Sequence, residues 1–129
     1  MIALKSVMMN TSTHIVSKSD NARHSSRHHA RYIESDMVYH AVYRVFQGRH
    51  LLRPCDKLNE MIVGVTSHAL SLYPSVDLYA MAYLSNHAHQ MVSGKPEEMS
   101  AFLGFIKREI SRRWGLLIDW PGTMWDETK

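Results

Sequence analysis

The spacing of hydrophobic residues changes along the chain, and each change marks a predicted secondary-structure element. Residues 38–46 read VYHAVYRVF, in which β-branched and aromatic residues alternate with other positions, so this segment predicts a first strand. In residues 57–72 the apolar residues recur three and four positions apart, which predicts an amphipathic helix. Asp56 is the predicted N-cap of this helix, and Pro74 follows its end.

The second half of the chain again moves from strand patterns to a helix pattern. Residues 76–84 predict a second strand with both faces mostly buried, and residues 87–93 predict a third strand that runs back beside it. The Ser85–Asn86 pair forms the tight turn between them, because Asn tolerates left-handed backbone angles. A second helix is predicted from Pro96 onwards, and residues 116–118 predict a weak fourth strand.

The order β-α-β-β-α with a weak final strand predicts an α+β fold of the ferredoxin-like split βαβ type, in which an antiparallel sheet carries two helices on one face. The predicted folded domain is residues 36–129. Residues 1–35 show no hydrophobic period and are polar and rich in histidine, so we expect a disordered arm there. Residues 1–33 of this arm are basic, with Lys5, Lys18, Arg23, Arg27 and Arg31 against Asp20.

Length and composition limit the classes of protein to which the chain can belong. A chain of 129 residues supports a single hydrophobic core. Its longest apolar stretch, residues 61–76, is interrupted by polar residues, Gly and Pro, and falls short of the roughly 20 apolar residues that a spanning helix requires. The N-terminus does not resemble a secretion signal, and the single Cys55 excludes an internal disulfide. We therefore expect a cytoplasmic protein with no membrane association.

His87 and His89 form the most distinctive chemical pattern in the sequence. Side chains on a strand alternate between its faces, so these two histidines share one face, with their Cα atoms about 6 to 7 Å apart. Two imidazoles at this spacing can bind one metal ion. The pattern alone is weak, because a His-X-His triplet is not rare in a chain with 9 histidines. An ordinary polar strand face therefore stays open as the alternative.

The residues around this pair resemble a known family. The run MAYLSNHAHQM, the earlier segments VYHAVYRVF, QGRHLLRP and DKLNEMI, and the later MWDE are similar to transposases of the insertion-sequence-200 type, and to REP-associated tyrosine transposases in particular. The resemblance covers residues 36–129. It implies an HUH single-strand DNA endonuclease, in which a Ser-Asn-His-hydrophobic-His signature supplies two metal-ligating histidines.

The resemblance implies that His87 and His89 are ligands of a divalent metal, Mg²⁺ or Mn²⁺, and that Asn86 shapes the turn before them. Gln90 departs from the pattern, because the family usually has an apolar residue there. In the family the metal polarises the scissile phosphate while a tyrosine attacks it, and the resulting phosphotyrosine link allows the strand to be rejoined. The implied partner is single-stranded or hairpin DNA.

The family's nucleophilic tyrosine lies on a helix downstream of the histidine pair, whereas all 6 tyrosines of this sequence precede the pair. The catalytic residue is therefore unknown, and the chain is predicted to be inactive or incomplete on its own. Truncation is the favoured interpretation; a tyrosine supplied by a partner and a domain kept only for binding are the alternatives. The strand tyrosines predicted to have surface hydroxyls are Tyr39, Tyr43, Tyr79 and Tyr83.

Basic residues of the predicted domain are candidates to contact DNA phosphates. A formal net charge of +3 and a pI of about 9.1 agree with a polyanionic partner. We also expect a homodimer, because a small sheet with one uncovered face favours self-association. Two non-catalytic functions stay open on the same fold, a nucleic-acid-binding module and a dimeric interaction domain. The predicted DNA-contacting residues, with solvated surface charges as the alternative, are Arg44, Arg49, Arg53, Lys107 and Arg108.

Overall fold

A computed structural model describes residues 37–126 of the chain, which form one antiparallel sheet and two long helices. This arrangement confirms the predicted α+β fold. The basic arm expected at residues 1–35 lies outside the described residues. No helix within the described range is sufficiently long and apolar to cross a lipid bilayer. The elements are β1 (Tyr39–Arg44), α1 (Asp56–Leu72), β2 (Asp77–Leu84), β3 (His87–Ser93) and α2 (Pro96–Ile118).

The central strand of the sheet is β3, since the strand order is β1-β3-β2 and both neighbours pair with it in antiparallel orientation. Its side chains alternate: Ala88, Gln90 and Val92 are fully buried beneath the helices, and the residues between them point to the other side. We call this other side the outer face. From the strand register it carries His40, Val42 and Arg44 of β1, His87, His89 and Met91 of β3, and Ala82 and Leu84 of β2.

Both helices pack on the inner side of the sheet and contact each other. On α2, Ile106, Ile110 and Trp114 follow one another at intervals of four residues and are buried. Full burial of one aliphatic side chain stabilises the fold by about 1.5 to 3 kcal/mol, so this stripe fixes α2 on the sheet. The matching buried stripe of α1 is Leu58, Ile62, Val65 and Ala69.

The fourth strand predicted at residues 116–118 is wrong, because α2 continues through this segment. Leu116 is 78% exposed, so the apolar run lies on the helix surface and does not belong to a sheet. The helix ends at Asp119, whose backbone is left-handed with φ 56°. After the helix, the chain returns to the end of β1, where Val45 and Trp125 form an isolated bridge.

The structure differs from the predicted elements in three smaller ways. The helix α1 has Cys55 as its N-cap and begins at Asp56, one residue earlier than expected. In β2, a bulge between Leu78 and Ala80 shifts the pairing with β3. Leu84 is 43% exposed at the hairpin end of β2. No residue of β2 is fully buried, so the expectation that both faces of this strand are mostly buried is wrong.

A close backbone approach joins the end of β3 to the loop before β2. Gly94 has φ 150°, and a Cβ atom at this position would lie 2.8 Å from the carbonyl oxygen of Ser75. Glycine is therefore required here by both conformation and space. The N–H of Ser75 donates to the Glu98 carboxylate at 2.9 Å, on the first turn of α2. These contacts determine where α2 begins.

Candidate metal centre

His87 and His89 lie at the start of the central strand, directly after the Ser85–Asn86 turn. Their ring centroids are 4.9 Å apart, and their planes are nearly perpendicular. The structure therefore brings the two histidines together, as the alternation of strand residues predicts. Neither ring lies beneath α1 or α2, because both helices pack on the inner side of the sheet.

The turn before the histidines is held by backbone hydrogen bonds from the segment that follows β1. The Val45 N–H donates to the Asn86 carbonyl, and the Leu52 N–H donates to the Ser85 carbonyl, each at 2.9 Å. Leu52 is fully buried. The loop after β1 is therefore anchored in the core and at the turn, and the histidines start from a fixed backbone.

Each histidine of the pair makes one short hydrogen bond through its Nδ1 atom. The Nδ1 atom of His87 lies 2.7 Å from the Oδ1 atom of Asn86. The Nδ1 atom of His89 lies 2.8 Å from the Nε2 atom of His40, and these two rings are nearly parallel, with centroids 5.0 Å apart. The site thus contains three imidazoles and one carboxamide. We call it the histidine cluster: His40, Asn86, His87 and His89.

The surroundings of His89 favour its neutral form. Burial lowers the pKa of His89 below its usual range, and the neighbouring rings of His40 and His87 lower this pKa further. A metal ion binds the neutral form of imidazole, since the ligating nitrogen must be unprotonated. The cluster therefore keeps His89 in the protonation state that a ligand needs.

The donor atoms of the pair fit a divalent ion that takes only part of its coordination shell from the protein. An ion bound at about 2.1 Å to each nitrogen needs the two nitrogens within about 4 Å of each other. Ring centroids 4.9 Å apart are close enough for one nitrogen of each ring to reach a common ion. Within residues 37–126, no three His, Cys, Asp or Glu side chains are arranged to share an ion. Imidazole suits transition-metal ions better than Mg²⁺, which prefers oxygen ligands.

Tyr43 and Tyr83 lie on the helix-covered side of the sheet, opposite the histidine cluster. The Tyr43 hydroxyl donates to Oε1 of Gln90 at 2.8 Å, and Nε2 of Gln90 donates to the Tyr83 hydroxyl at 3.1 Å. Burial raises the pKa of both tyrosines far above the usual range. The prediction of surface hydroxyls is therefore wrong for these two residues. Neither can bring its hydroxyl to a phosphate held at the histidines.

The other tyrosines are spread over the fold. Tyr39 is partly buried against the core, and Tyr73 follows the end of α1. The Tyr79 hydroxyl shares a hydrogen bond with Oγ of Ser93 at 3.0 Å, at the end of β3 opposite the histidine pair. Tyr32 lies outside the described residues. The nucleophile therefore stays unassigned.

Of the five predicted DNA-contacting cations, Arg44 lies on the outer face, and Arg49 and Arg53 lie on the loop that follows β1. Arg44 is exposed and is the cross-strand partner of His87. Arg49 and Arg53 are exposed on the loop that is anchored to the Ser85–Asn86 turn. The guanidinium of Arg49 lies 5.2 Å from the centre of the Trp120 ring, which holds it over an aromatic surface.

The other two cations, Lys107 and Arg108, belong to α2 and are separated from the histidine cluster by the sheet. The Lys107 ammonium lies 5.5 Å from the ring centre of Tyr43, and the Arg108 guanidinium lies 5.6 Å from that of Phe105. The structure thus does not bring these two residues together with the histidines. A DNA strand bound at the outer face would not reach them directly.

Sequence reasoning missed the participation of His40 in the site. Two signals were present: the alternation in β1 separates His40 from Tyr39, and the split βαβ order places β1 beside β3. Together they put His40 on the same face as the histidine pair. The hydrogen bonds of Gln90 with Tyr43 and Tyr83 are harder to predict from the sequence, because the two tyrosines lie on different strands.

Comparison with known proteins supports the fold. The chain is similar to the crystal structure of a putative transposase from Deinococcus radiodurans R1, with a TM-score of 0.51 and 16% sequence identity. The similarity covers 79% of this chain and 81% of that chain. No protein-family model matches the chain, and no curated protein is similar to it in sequence. The chain therefore shares the fold of that structure.

Proposed function

We propose that this chain is a transposase-like HUH domain that binds single-stranded or hairpin DNA and holds a divalent metal ion, Mg²⁺ or Mn²⁺, through His87 and His89. The observation that carries the proposal is the position of the two rings, side by side on the outer face of the central strand. Two partly buried imidazoles on an uncovered sheet face suit ligands better than core residues. The transposase-like fold supports the same function.

The metal ion, when bound, would neutralise charge on a DNA phosphate and polarise its bonds. The residues of the chain would position the strand. Arg44 adds a cation beside His87, and Arg49 and Arg53 offer further phosphate contacts from the neighbouring loop. Phosphate contacts carry no base preference, so a preference for unpaired DNA would come from shape and from base stacking.

Cleavage by this mechanism requires a hydroxyl that attacks the phosphate in line with the leaving oxygen. Tyr43 and Tyr83 are held on the opposite side of the sheet by Gln90. We therefore assign strand cleavage and rejoining through a phosphotyrosine only to a state in which a tyrosine comes from outside the described residues. With only the tyrosines of residues 37–126, the chain would bind DNA without cutting it.

A non-catalytic nucleic-acid-binding module is the second candidate function, and the burial of Tyr43 and Tyr83 favours it. Such a module would keep the affinity for DNA and its dependence on salt. It would differ from the first candidate in one respect, because an added tyrosine-bearing partner would not restore cleavage.

A homodimer is the assembly that we propose for either function. Leu116 and Leu117, near the end of α2, are 78% and 48% exposed and do not belong to the outer face that carries the histidines. A second copy of the chain would remove this apolar surface from water and leave the histidines open. Light scattering on the purified chain tests this assembly, and a monomer mass at micromolar concentration would contradict it.

The function is tested by incubating the purified chain with a labelled single-stranded hairpin, in Mn²⁺ or in EDTA, and resolving the products on native and denaturing gels. We expect a retarded complex that Mn²⁺ strengthens, and no covalent adduct. The matched control is the double variant His87→Ala, His89→Ala, which should lose the effect of Mn²⁺ while its circular dichroism stays unchanged.

The other outcomes of this experiment separate the candidate functions. Failure of the chain to bind the hairpin under either condition would overturn both DNA-binding candidates. Mn²⁺-dependent cleavage with a covalent adduct would instead show that the chain contains its own nucleophile. A linear dependence of log affinity on log salt concentration would identify phosphate contacts as the main source of affinity.

A further inference from the structure

The two proposed metal ligands share one arrangement: each Nδ1 atom faces a hydrogen-bond partner of its own. His87 Nδ1 meets Oδ1 of Asn86 at 2.7 Å, and His89 Nδ1 meets Nε2 of His40 at 2.8 Å. Metal-binding histidines usually donate their second ring N–H to an acceptor, which fixes the tautomer and the ring orientation. Both members of the pair have a candidate acceptor of this kind.

Asn86 determines the tautomer of His87. A carboxamide oxygen can only accept a hydrogen bond, so the proton of the His87 ring must be on Nδ1. The Nε2 atom then carries the lone pair that a metal ion requires. The backbone carbonyl of Asn86 accepts from Val45 N–H at 2.9 Å, so the carboxamide projects from a fixed position.

His40 acts on His89 in the same way, although two imidazoles allow two directions for the hydrogen bond. A proton donated from Nε2 of His40 would leave His89 with its own proton on Nε2, where it would block metal binding. A proton donated from Nδ1 of His89 leaves Nε2 of His89 unprotonated. Only this second direction gives both ligands the same tautomer.

We propose that His40 and Asn86 are positioning residues of the metal site, which hold His89 and His87 in the Nδ1–H tautomer and present both Nε2 atoms to the cation. This inference rests on the metal binding proposed above. His40 is not itself a ligand through Nε2, because that atom is hydrogen-bonded to Nδ1 of His89. The lack of a three-residue ligand group within residues 37–126 agrees with this assignment.

The strand register explains how His40 reaches its partner. His40 pairs with Met91 and Val42 pairs with His89, so the two histidines are diagonal neighbours on the outer face. Diagonal neighbours on adjacent strands are within reach of ring side chains. The two rings are nearly parallel, with 19° between their planes and centroids 5.0 Å apart, as the hydrogen bond between them requires. His40 therefore restrains the orientation of the His89 ring as well as its tautomer.

The first part of the test is calorimetric titration of Mn²⁺ into the full chain and its variants. His40→Leu and Asn86→Leu remove the acceptors, and we expect each to weaken Mn²⁺ binding about 10- to 100-fold. His40→Gln and Asn86→Asp keep an acceptor oxygen and should recover most of the affinity. His68→Leu, at an exposed position on α1, is the control and should bind as the unmodified chain does.

The second part reads the tautomers directly from long-range ¹H–¹⁵N spectra of the metal-free chain. We expect His87 and His89 to carry their protons on Nδ1, and His89 to lose this preference in the His40→Leu variant. A proton on Nε2 of His89 in the unmodified chain would overturn the proposal. So would unchanged Mn²⁺ affinity in both leucine variants, with their amide spectra showing a folded chain.

These measurements also separate the positioning role from the proposed function. If the unmodified chain binds no Mn²⁺ but shows both Nδ1–H tautomers, the metal site fails while the role of His40 and Asn86 in orienting the rings is supported. If it binds Mn²⁺ and His40→Gln binds as weakly as His40→Leu, His40 acts as a direct ligand, and the positioning role is overturned.

Discussion

Arg44 lies directly across the β1–β3 ladder from His87, with both side chains on the outer face of the sheet. Residues paired in this way have Cβ atoms about 4.5 to 5.5 Å apart. Strand pairing therefore places a cation next to one of the two proposed metal ligands. In the proposed complex with DNA, the two groups would contact the same phosphate.

Replacement of Arg44 by Gln should weaken hairpin binding and reduce the slope of log affinity against log salt by about 1, because one phosphate contact is lost. Arg108→Gln is the matched control, since Arg108 is on α2 on the other side of the sheet. Fluorescence anisotropy over a range of salt concentrations measures both slopes. Equal losses in the two variants would show that the outer face has no special part in DNA binding.

Gln90→Leu should destabilise the chain by about 1 to 3 kcal/mol, because it leaves the buried hydroxyl of Tyr43 without an acceptor. Tyr43→Phe removes the opposite partner of the same hydrogen bond. The double variant should lose less stability than the sum of the two single variants, since it leaves neither group unpaired. Urea unfolding measures all three, and strictly additive losses would contradict the network.

Glu98 should make stability depend on pH in the acidic range. Hydrogen bonds from Ser75 lower the pKa of Glu98 below its usual range in the folded chain. The folded state thus binds this proton less tightly than the unfolded state. The stabilising contribution is therefore fully present above the usual glutamate pKa and is lost as the pH falls through the lowered pKa of the folded chain.

The Glu98→Gln variant should therefore differ most from the unmodified chain near neutral pH and least at about pH 3. Glu97→Gln removes a charge from the same helical turn without touching the hydrogen bond to Ser75, and serves as the control. Thermal unfolding at a series of pH values gives the comparison. A difference that grows toward low pH would have the wrong sign.

Gly94→Ala should destabilise the chain by more than about 1 kcal/mol, because its Cβ atom would meet the Ser75 carbonyl at a backbone angle that alanine avoids. Gly104→Ala is the opposite case: the position is helical, and a Cβ atom there meets nothing within 4 Å. This second variant should stabilise the chain by up to about 1 kcal/mol. Chemical unfolding of the pair tests the close approach at Gly94.

Much of the fold could be predicted because hydrophobic spacing reports the burial of each face. The spacing in α1 and the alternation in β3 both match the structure closely. The end of α2 could not be predicted in this way, because the run Leu116–Ile118 is apolar whether it lies in a strand or on a helix surface. Its helical state follows from the packing of Trp114 and Gly115, which is a tertiary property.

The candidate site could be predicted only in part, for a related reason. His87 and His89 belong to one strand, so local alternation places them together. The contact between His40 and His89 depends on the register between β1 and β3, and register depends on tertiary packing. The burial of Tyr43 also depends on register, because its hydroxyl on β1 donates a hydrogen bond to Gln90 on β3.

The most direct measurement of metal binding at the histidine pair is Mn²⁺ electron paramagnetic resonance, in which the signal of the free ion falls as the chain binds it. We predict that the unmodified chain takes up one Mn²⁺ per site, and that the folded double variant His87→Ala, His89→Ala leaves the free-ion signal unchanged. Equal uptake by the two proteins, or no uptake by the unmodified chain, would contradict the assignment of His87 and His89 as a metal centre.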